Sequence, residues 1–175
     1  MAEKKVALVI AHNNYQPTEY AETKKALEAA GIDVDTVSDE PGIATATDQS
    51  TTLADYTIAE ANLDEIDGLV FIGGPDALQH LDHARSHELL EMAHKRGMPI
   101  GAICLSVRIL AKSDILATKK ATGWDGDNTL GAIFRQHNVT RVDQPVVVDE
   151  SIITATGPDA ASLFGSKIAT LIHKK

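Results

Sequence analysis

PIGAICLSVRIL, residues 99–110, changes character halfway along. PIGAIC has the apolar run of a strand buried on both faces. LSVRIL takes on the spacing of a helix, and the chain's one cysteine, Cys104, stands at the change. A strand that turns sharply into a helix is a nucleophile elbow, which needs small residues two positions away on each side. Ala102 and Ser106 are both small. Such a turn places the sulfur at the N-terminus of the next helix, where partial positive charge favours thiolate over thiol. The plainer alternative is a core cysteine, common in apolar strands.

The flanking sequence repeats the strand-to-helix alternation. KVALVIA (5–11) is a continuous apolar strand. Pro17 opens a helix through TEYAETKKALEAA, and Gly31 fits its C-terminal stop. DVDTVS (33–38) is a second strand, and PGIATATDQSTTLADY is loop or small sheet. GLVFIGG (68–74) is a third strand ending in two glycines. Residues 75–96 read as helical, with Asp82 a candidate break and Gly97 the stop. After Cys104 come a helix, a short strand near KKATGW, a helix near 128–137, a hairpin in QPVVVDESIITATG and a closing helix. No repeat or linker divides the chain, so residues 1–175 read as one domain. The alternation predicts a three-layer α/β/α sandwich with a mostly parallel sheet.

Composition narrows the function. The chain has 175 residues, 43% of them apolar and 23% charged, as in a soluble globular protein. A net charge of −9 argues against nucleic acid and anionic membrane as partners. One cysteine excludes an internal disulfide framework and suits a reducing interior. The apolar run in MAEKKVALVIAHN is about six residues, too short for a signal peptide or a membrane span, so the expected location is cytoplasmic. No Walker loop or G-x-G-x-x-G is present, and no cofactor is expected.

In sheets of this kind the ligand crevice lies at the carboxyl ends of the strands. Three ends carry informative residues: His12 to Glu19, Gly73-Gly74 and Cys104. At this point YTIAEANLDEIDGLVFIGGPDAL, GMPIGAICLSVRILAKSDILATKKATGW and VVVDESIITATGPDAASLFGSKIATLI, taken in order, resemble the ThiJ/PfpI superfamily. That group includes the parkinsonism-associated deglycase-like protein and is related to class I glutamine amidotransferases, with their flavodoxin-like sheet. The resemblance covers essentially the whole chain. It implies that Cys104 is a nucleophile and that Glu19 is its acidic partner. A carboxyl beside a thiolate tends to stay protonated and can shuttle a proton. The N–H groups of Gly74 and Leu105 are the expected oxyanion donors, with Gly73 beside them in the pocket. Without the resemblance, Glu19 is equally well a first-turn acid that satisfies the helix dipole.

The chain also departs from the family. Protease-like members carry a histidine directly after the cysteine, where this chain has Leu105, and a glutamate after the double glycine, where it has Leu78. The common Arg-Gly-Pro reads TGP, with Thr156 in place of arginine. Trp124 falls where relatives have histidine or an aromatic residue, and is expected to wall the pocket. Asp125, Asp127 and Asn128 read mainly as turn and cap residues, with Asp127 also a candidate polar contact in the pocket. His12 is a candidate for assisting proton transfer. His80, His83, His87 and His94 would share one arc if 80–96 were one helix, but no cysteine or acid completes an evident ligand set, and no metal is expected.

The resemblance suggests a small-molecule cysteine enzyme, glyoxalase- or deglycase-like or a hydrolase of small substrates, that forms a homodimer or larger homo-oligomer. The alternative is a redox-sensing or chaperone-like stress protein with an oxidisable Cys104. An intracellular cysteine peptidase ranks third.

Overall fold

The structure is a computed structural model and describes residues 3–175; Met1 and Ala2 of the opening segment lie outside it. Along β1 (Lys4–Ile10), Val6, Leu8 and Ile10 pack into one hydrophobic cluster, while Ala7 and Val9 pack into a second. Successive strand residues point to opposite faces, so a strand that is apolar at every position needs cover on both. The chain continues through β2 (Asn13–Tyr15), α1 (Pro17–Ala29), β3 (Ile32–Ser38), β4 (Ile43–Ala46), β5 (Thr51–Leu53), β6 (Tyr56–Thr57) and β7 (Gly68–Phe71). Then follow α2 (Ala77–Leu81), α3 (Ala84–Lys95), β8 (Ile100–Ile103), α4 (Val107–Lys112), β9 (Lys120–Ala121), α5 (Leu130–Gln136) and β10 (Thr140–Arg141). The hairpin β11 (Val146–Asp149) and β12 (Ile152–Ala155) leads into α6 (Ala161–His173).

Seven strands form the main sheet in the order β11-β12-β8-β7-β1-β3-β6. Only the β11–β12 pair is antiparallel; the other five neighbours run parallel. Leu27 of α1 and Phe164 and Ile168 of α6 cover one face, packed with Val6, Leu8 and Ile10. Leu81, Leu90, Leu110 and Phe134 of α2 to α5 cover the other, with Val9 and Phe71. This is the expected three-layer sandwich. Because β8, β7, β1 and β3 are neighbours and parallel, the residues that follow them all emerge at one end of the sheet.

Two regions sharpen the sequence reading. Residues 43–53 form the small-sheet alternative, with β4 and β5 pairing beside β2. The helical stretch 75–96 breaks at Asp82, whose φ of −85° and ψ of 76° leave the helical region. The Asp82 carboxylate pairs there with His87 Nε2 at 2.7 Å and Lys112 Nζ at 2.5 Å. His80 therefore lies on α2, His83 caps α3, and His87 and His94 lie along α3, so the single arc of four histidines does not form. Among the described residues no helix is long and apolar enough to cross a membrane.

Candidate active site at the Cys104 elbow

The chain leaves β8 and turns at once through a 3-10 turn, Cys104–Ser106, into α4. Cys104 has φ of 61°, in the left-handed region. A non-glycine residue held there costs roughly 1–3 kcal/mol and persists only when its surroundings fix it. Two contacts do so. The Ser106 hydroxyl donates to the carbonyl of Ile72 at 2.6 Å, tying the elbow to the end of β7. The Trp124 N–H donates to the carbonyl of Cys104 at 3.4 Å.

Glu19 enters from the first turn of α1. Gln16 caps that helix, its side-chain oxygen accepting from the Glu19 N–H at 2.8 Å, and Pro17 supplies the first helical φ. This start aims the Glu19 side chain inward, where it has no solvent exposure. Its Oε2 accepts from the Gly73 N–H at 2.8 Å. The double glycine makes that approach possible. A Cβ at Gly73 would lie 2.6 Å from both Glu19 Oε2 and the Cβ of Cys104. At Gly74, with φ of 137°, a Cβ would lie 2.5 Å from the carbonyl oxygen of Asn14. The Gln16 N–H donates to the Gly73 carbonyl at 3.0 Å, so the loop after β7 is bound to the start of α1. The structure thus brings Glu19, Gly73, Gly74, Cys104 and Leu105 together.

Burial governs the electrostatics. It raises the Glu19 carboxyl to about 7, against the opposing pull of the Cys104 thiol and the Gly73 N–H. The thiol neighbours the carboxyl at a geometry short of a full hydrogen bond, and Glu19 Oε1 has no N–H or O–H donor among the described residues. Burial, then the Glu19 charge, pushes the Cys104 thiol up to about 12. The N–H groups of Leu105 and Gly74 face the sulfur and pull it back only in part. Burial thus opposes the helix-terminal field that favours a thiolate. The cysteine is buried, and the helix it precedes has only six residues, so desolvation outweighs the helix-terminal field. The thiolate becomes accessible when Glu19 holds the pair's proton, because the repelling charge is then gone.

The remaining candidates divide. Trp124 is 37% exposed, and the Arg108 guanidinium stacks over its ring at 5.6 Å. The Asp127 carboxylate, 41% exposed, is bound to Arg108. Both oxygens accept from Arg108, at 3.0 and 2.8 Å, and one also accepts from the Thr129 N–H at 3.1 Å. Hydrogen bonding from Arg108 holds the Asp127 carboxyl well below the usual range. Its bonds within the turn, to the N–H and hydroxyl of Thr129, sit beside this ionic anchor. The backbone of His12 bonds to Asp39 and Thr45, and no hydrogen bond joins His12 to Glu19 or Cys104. Leu105 and Leu78 pack against the two core clusters, and the Thr156 N–H donates to the Pro145 carbonyl at 3.0 Å. Sequence reasoning missed Arg108, which is 5% exposed and also donates to the carbonyl of Trp124 at 3.3 Å. The available signal was a charged residue on the apolar face of VRIL, which requires a buried partner. Ser106 is small, as the elbow requires, and its hydroxyl also holds the turn through Ile72.

Comparison with known proteins agrees with the fold. The sequence pattern of the DJ-1/PfpI family matches residues 4–171. An uncharacterized protein of Methanocaldococcus jannaschii is 31% identical over 175 residues, covering 99% of this chain and 85% of the relative. General stress protein 18 of Bacillus subtilis is 28% identical, covering 98% of this chain and 99% of the relative. The crystal structure of a ThiJ/PfpI domain protein from Brachyspira murdochii superposes with a TM-score of 0.93 at 26% identity, covering 99% of both chains.

The buried carboxyl has a measurable consequence. Its folded-state value lies above the ordinary 4.5, so between these values the folded chain binds more protons than the unfolded chain. Stability should fall as pH rises from 4.5 to about 7, because the charge must then be buried. Glu19→Gln removes that charge. Urea unfolding should find the variant gaining about 1–3 kcal/mol on wild type between acid and about pH 8. A difference between the two proteins that does not change with pH would contradict a buried, raised carboxyl.

Proposed function

The chain belongs to the DJ-1/PfpI family, and on that premise we propose that it is a small-molecule cysteine enzyme acting on an electrophilic carbonyl. The observation that supports this is a wholly buried carboxyl, raised to about 7, beside a thiol held at positive φ with two N–H groups facing the sulfur. Structural cysteines need none of these features. A carboxylate raised to about 7 is a far better base than an ordinary one and is poised near neutral pH.

Glu19 takes the thiol proton as sulfur bonds to the carbonyl carbon. The carbonyl π pair moves to oxygen, and the N–H groups of Gly74 and Leu105 are the donors available to that oxyanion. The Glu19 proton then neutralises it as a hemithioacetal. With methylglyoxal, the aldehyde hydrogen passes as a proton to the adjacent carbon, which becomes a carbinol. The resulting thioester is cleaved by one water to lactate and free thiol, with no external oxidant or reductant.

A peptide is a poorer substrate for such a site. The departing amine needs a proton from a second group. Leu105 and Leu78 offer none, and Glu19 is engaged with sulfur. A second function, a redox-responsive stress protein, draws support from the relative named General stress protein 18. In that case Cys104 would be oxidised rather than turned over. A cytoplasmic, reducing setting suits either role. We also propose a homodimer or larger homo-oligomer. Supporting it, Ile43 and Leu53 lie opposite one another on the β4–β5 hairpin and are 61% and 66% exposed.

Lactate release from methylglyoxal is the direct assay. Wild type should show it, Cys104→Ser should not, and kcat/KM should rise through about pH 7 as the Glu19 carboxylate forms. Fluorogenic peptide cleavage should be lower by about 10²–10⁴-fold, the typical loss without general acid–base help. Cys104-dependent peptide cleavage without aldehyde turnover would reverse the assignment. Loss of Cys104 to peroxide oxidation, with no turnover of either substrate, would favour the stress-protein role. In light scattering at micromolar concentration, the mass should be a multiple of the 18.7 kDa chain, and a single-chain mass would contradict the oligomer.

A further inference from the structure

We propose that Asp39, Glu40 and His80 form a binding site for a zinc-class divalent cation. Asp39 and Glu40 directly follow β3, and His80 comes from α2. One ligand atom from each lies within 4.8 Å of the other two. The site shares the ligand-bearing end of the sheet with the elbow but uses none of its residues, so it stands independently of the function proposed for Cys104.

Asp39 and His80 are not loose surface groups. Their side chains are 12% and 14% exposed, and His80 Nδ1 lies 2.6 Å from Asp39 Oδ2. The other Asp39 oxygen is already committed, accepting from the His12 N–H at 2.7 Å and the Ser38 hydroxyl at 3.2 Å. That second set of contacts fixes the carboxylate plane and leaves Oδ2 toward the imidazole, the outer support that metal ligands typically have. Glu40 is exposed at the rim and supplies the third donor. At the same strand end, the buried ring Nδ1 of His12 has no partner among the described residues.

One imidazole nitrogen and two carboxylate oxygens suit zinc, which accepts nitrogen and oxygen donors with a fourth position open. Calcium is a poor match, since it takes about six to eight oxygens. Tetrahedral bonds of about 2.0–2.1 Å hold ligand atoms roughly 3.3 Å apart. The His80–Asp39 pair has only to open by less than about 1 Å, within the reach of side-chain rotation. The sequence set metal aside because residues 80–96 contain no evident ligand set. The acids come instead from the end of β3, which only the parallel pairing of β1 with β3 brings alongside.

The test is a Zn²⁺ titration of the full chain by calorimetry, in wild type and in Cys104→Ser, with Co²⁺ as the spectroscopic probe. One ion per chain should bind equally well to both proteins. Co²⁺ should show tetrahedral bands without thiolate charge transfer. Glu40→Gln, at an exposed position that leaves the fold untouched, should weaken binding by about tenfold or more, and His80→Gln by more still. Failure to bind one ion, or binding that survives both Glu40→Gln and His80→Gln, would overturn the site. So would binding lost in Cys104→Ser, which would put the ion on the thiol.

Discussion

Glu19 lies wholly buried between the Gly73 N–H and the Cys104 thiol, and the surrounding backbone is shaped to keep it there. Any side chain at position 73 would collide with both the carboxyl and the cysteine. The glycine loop is bonded in turn to the residue that caps α1, and the cap sets the turn from which Glu19 reaches inward. Cys104 meets the carboxyl because Ser106 ties the elbow to Ile72 and Trp124 bonds the cysteine carbonyl. Together these contacts hold the carboxyl and the thiol side by side.

Two acids in one dry space cannot both ionise cheaply. Burial raises each, and the Glu19 charge raises the Cys104 thiol further. The pair therefore titrates as a unit, with one proton to place on oxygen or on sulfur at neutral pH. Such an arrangement costs stability, through the buried charge and the positive φ at Cys104. The seven-stranded sheet, with apolar clusters on both faces, is what can carry that cost.

Much of the fold was legible because β1, β7 and β8 are apolar at every position, which has few solutions other than a sheet covered on both faces. The elbow was legible from Ala102, Cys104 and Ser106, and Glu19 from the family resemblance. What stayed hidden depends on contacts between distant segments. Asp127 looks the same in sequence whether it lines a pocket or grips Arg108, 19 residues away. The Asp39–His80 pair spans 41 residues and exists only through the strand order. At Cys104 the helix start can be read locally, whereas the burial that opposes its field depends on distant segments.

If Glu19 and Cys104 titrate as one pair, the rate of Cys104 alkylation by iodoacetamide against pH, in wild type and Glu19→Gln, reads it out. Wild type should rise to a plateau through about pH 7, as loss of one proton from the pair lets the carboxyl hold the thiol's proton. Glu19→Gln should lose that inflection and react only as a buried thiol ionising well above neutrality. Identical profiles in the two proteins, each with a single inflection near the free-thiol value of about 8.5, would contradict the shared proton.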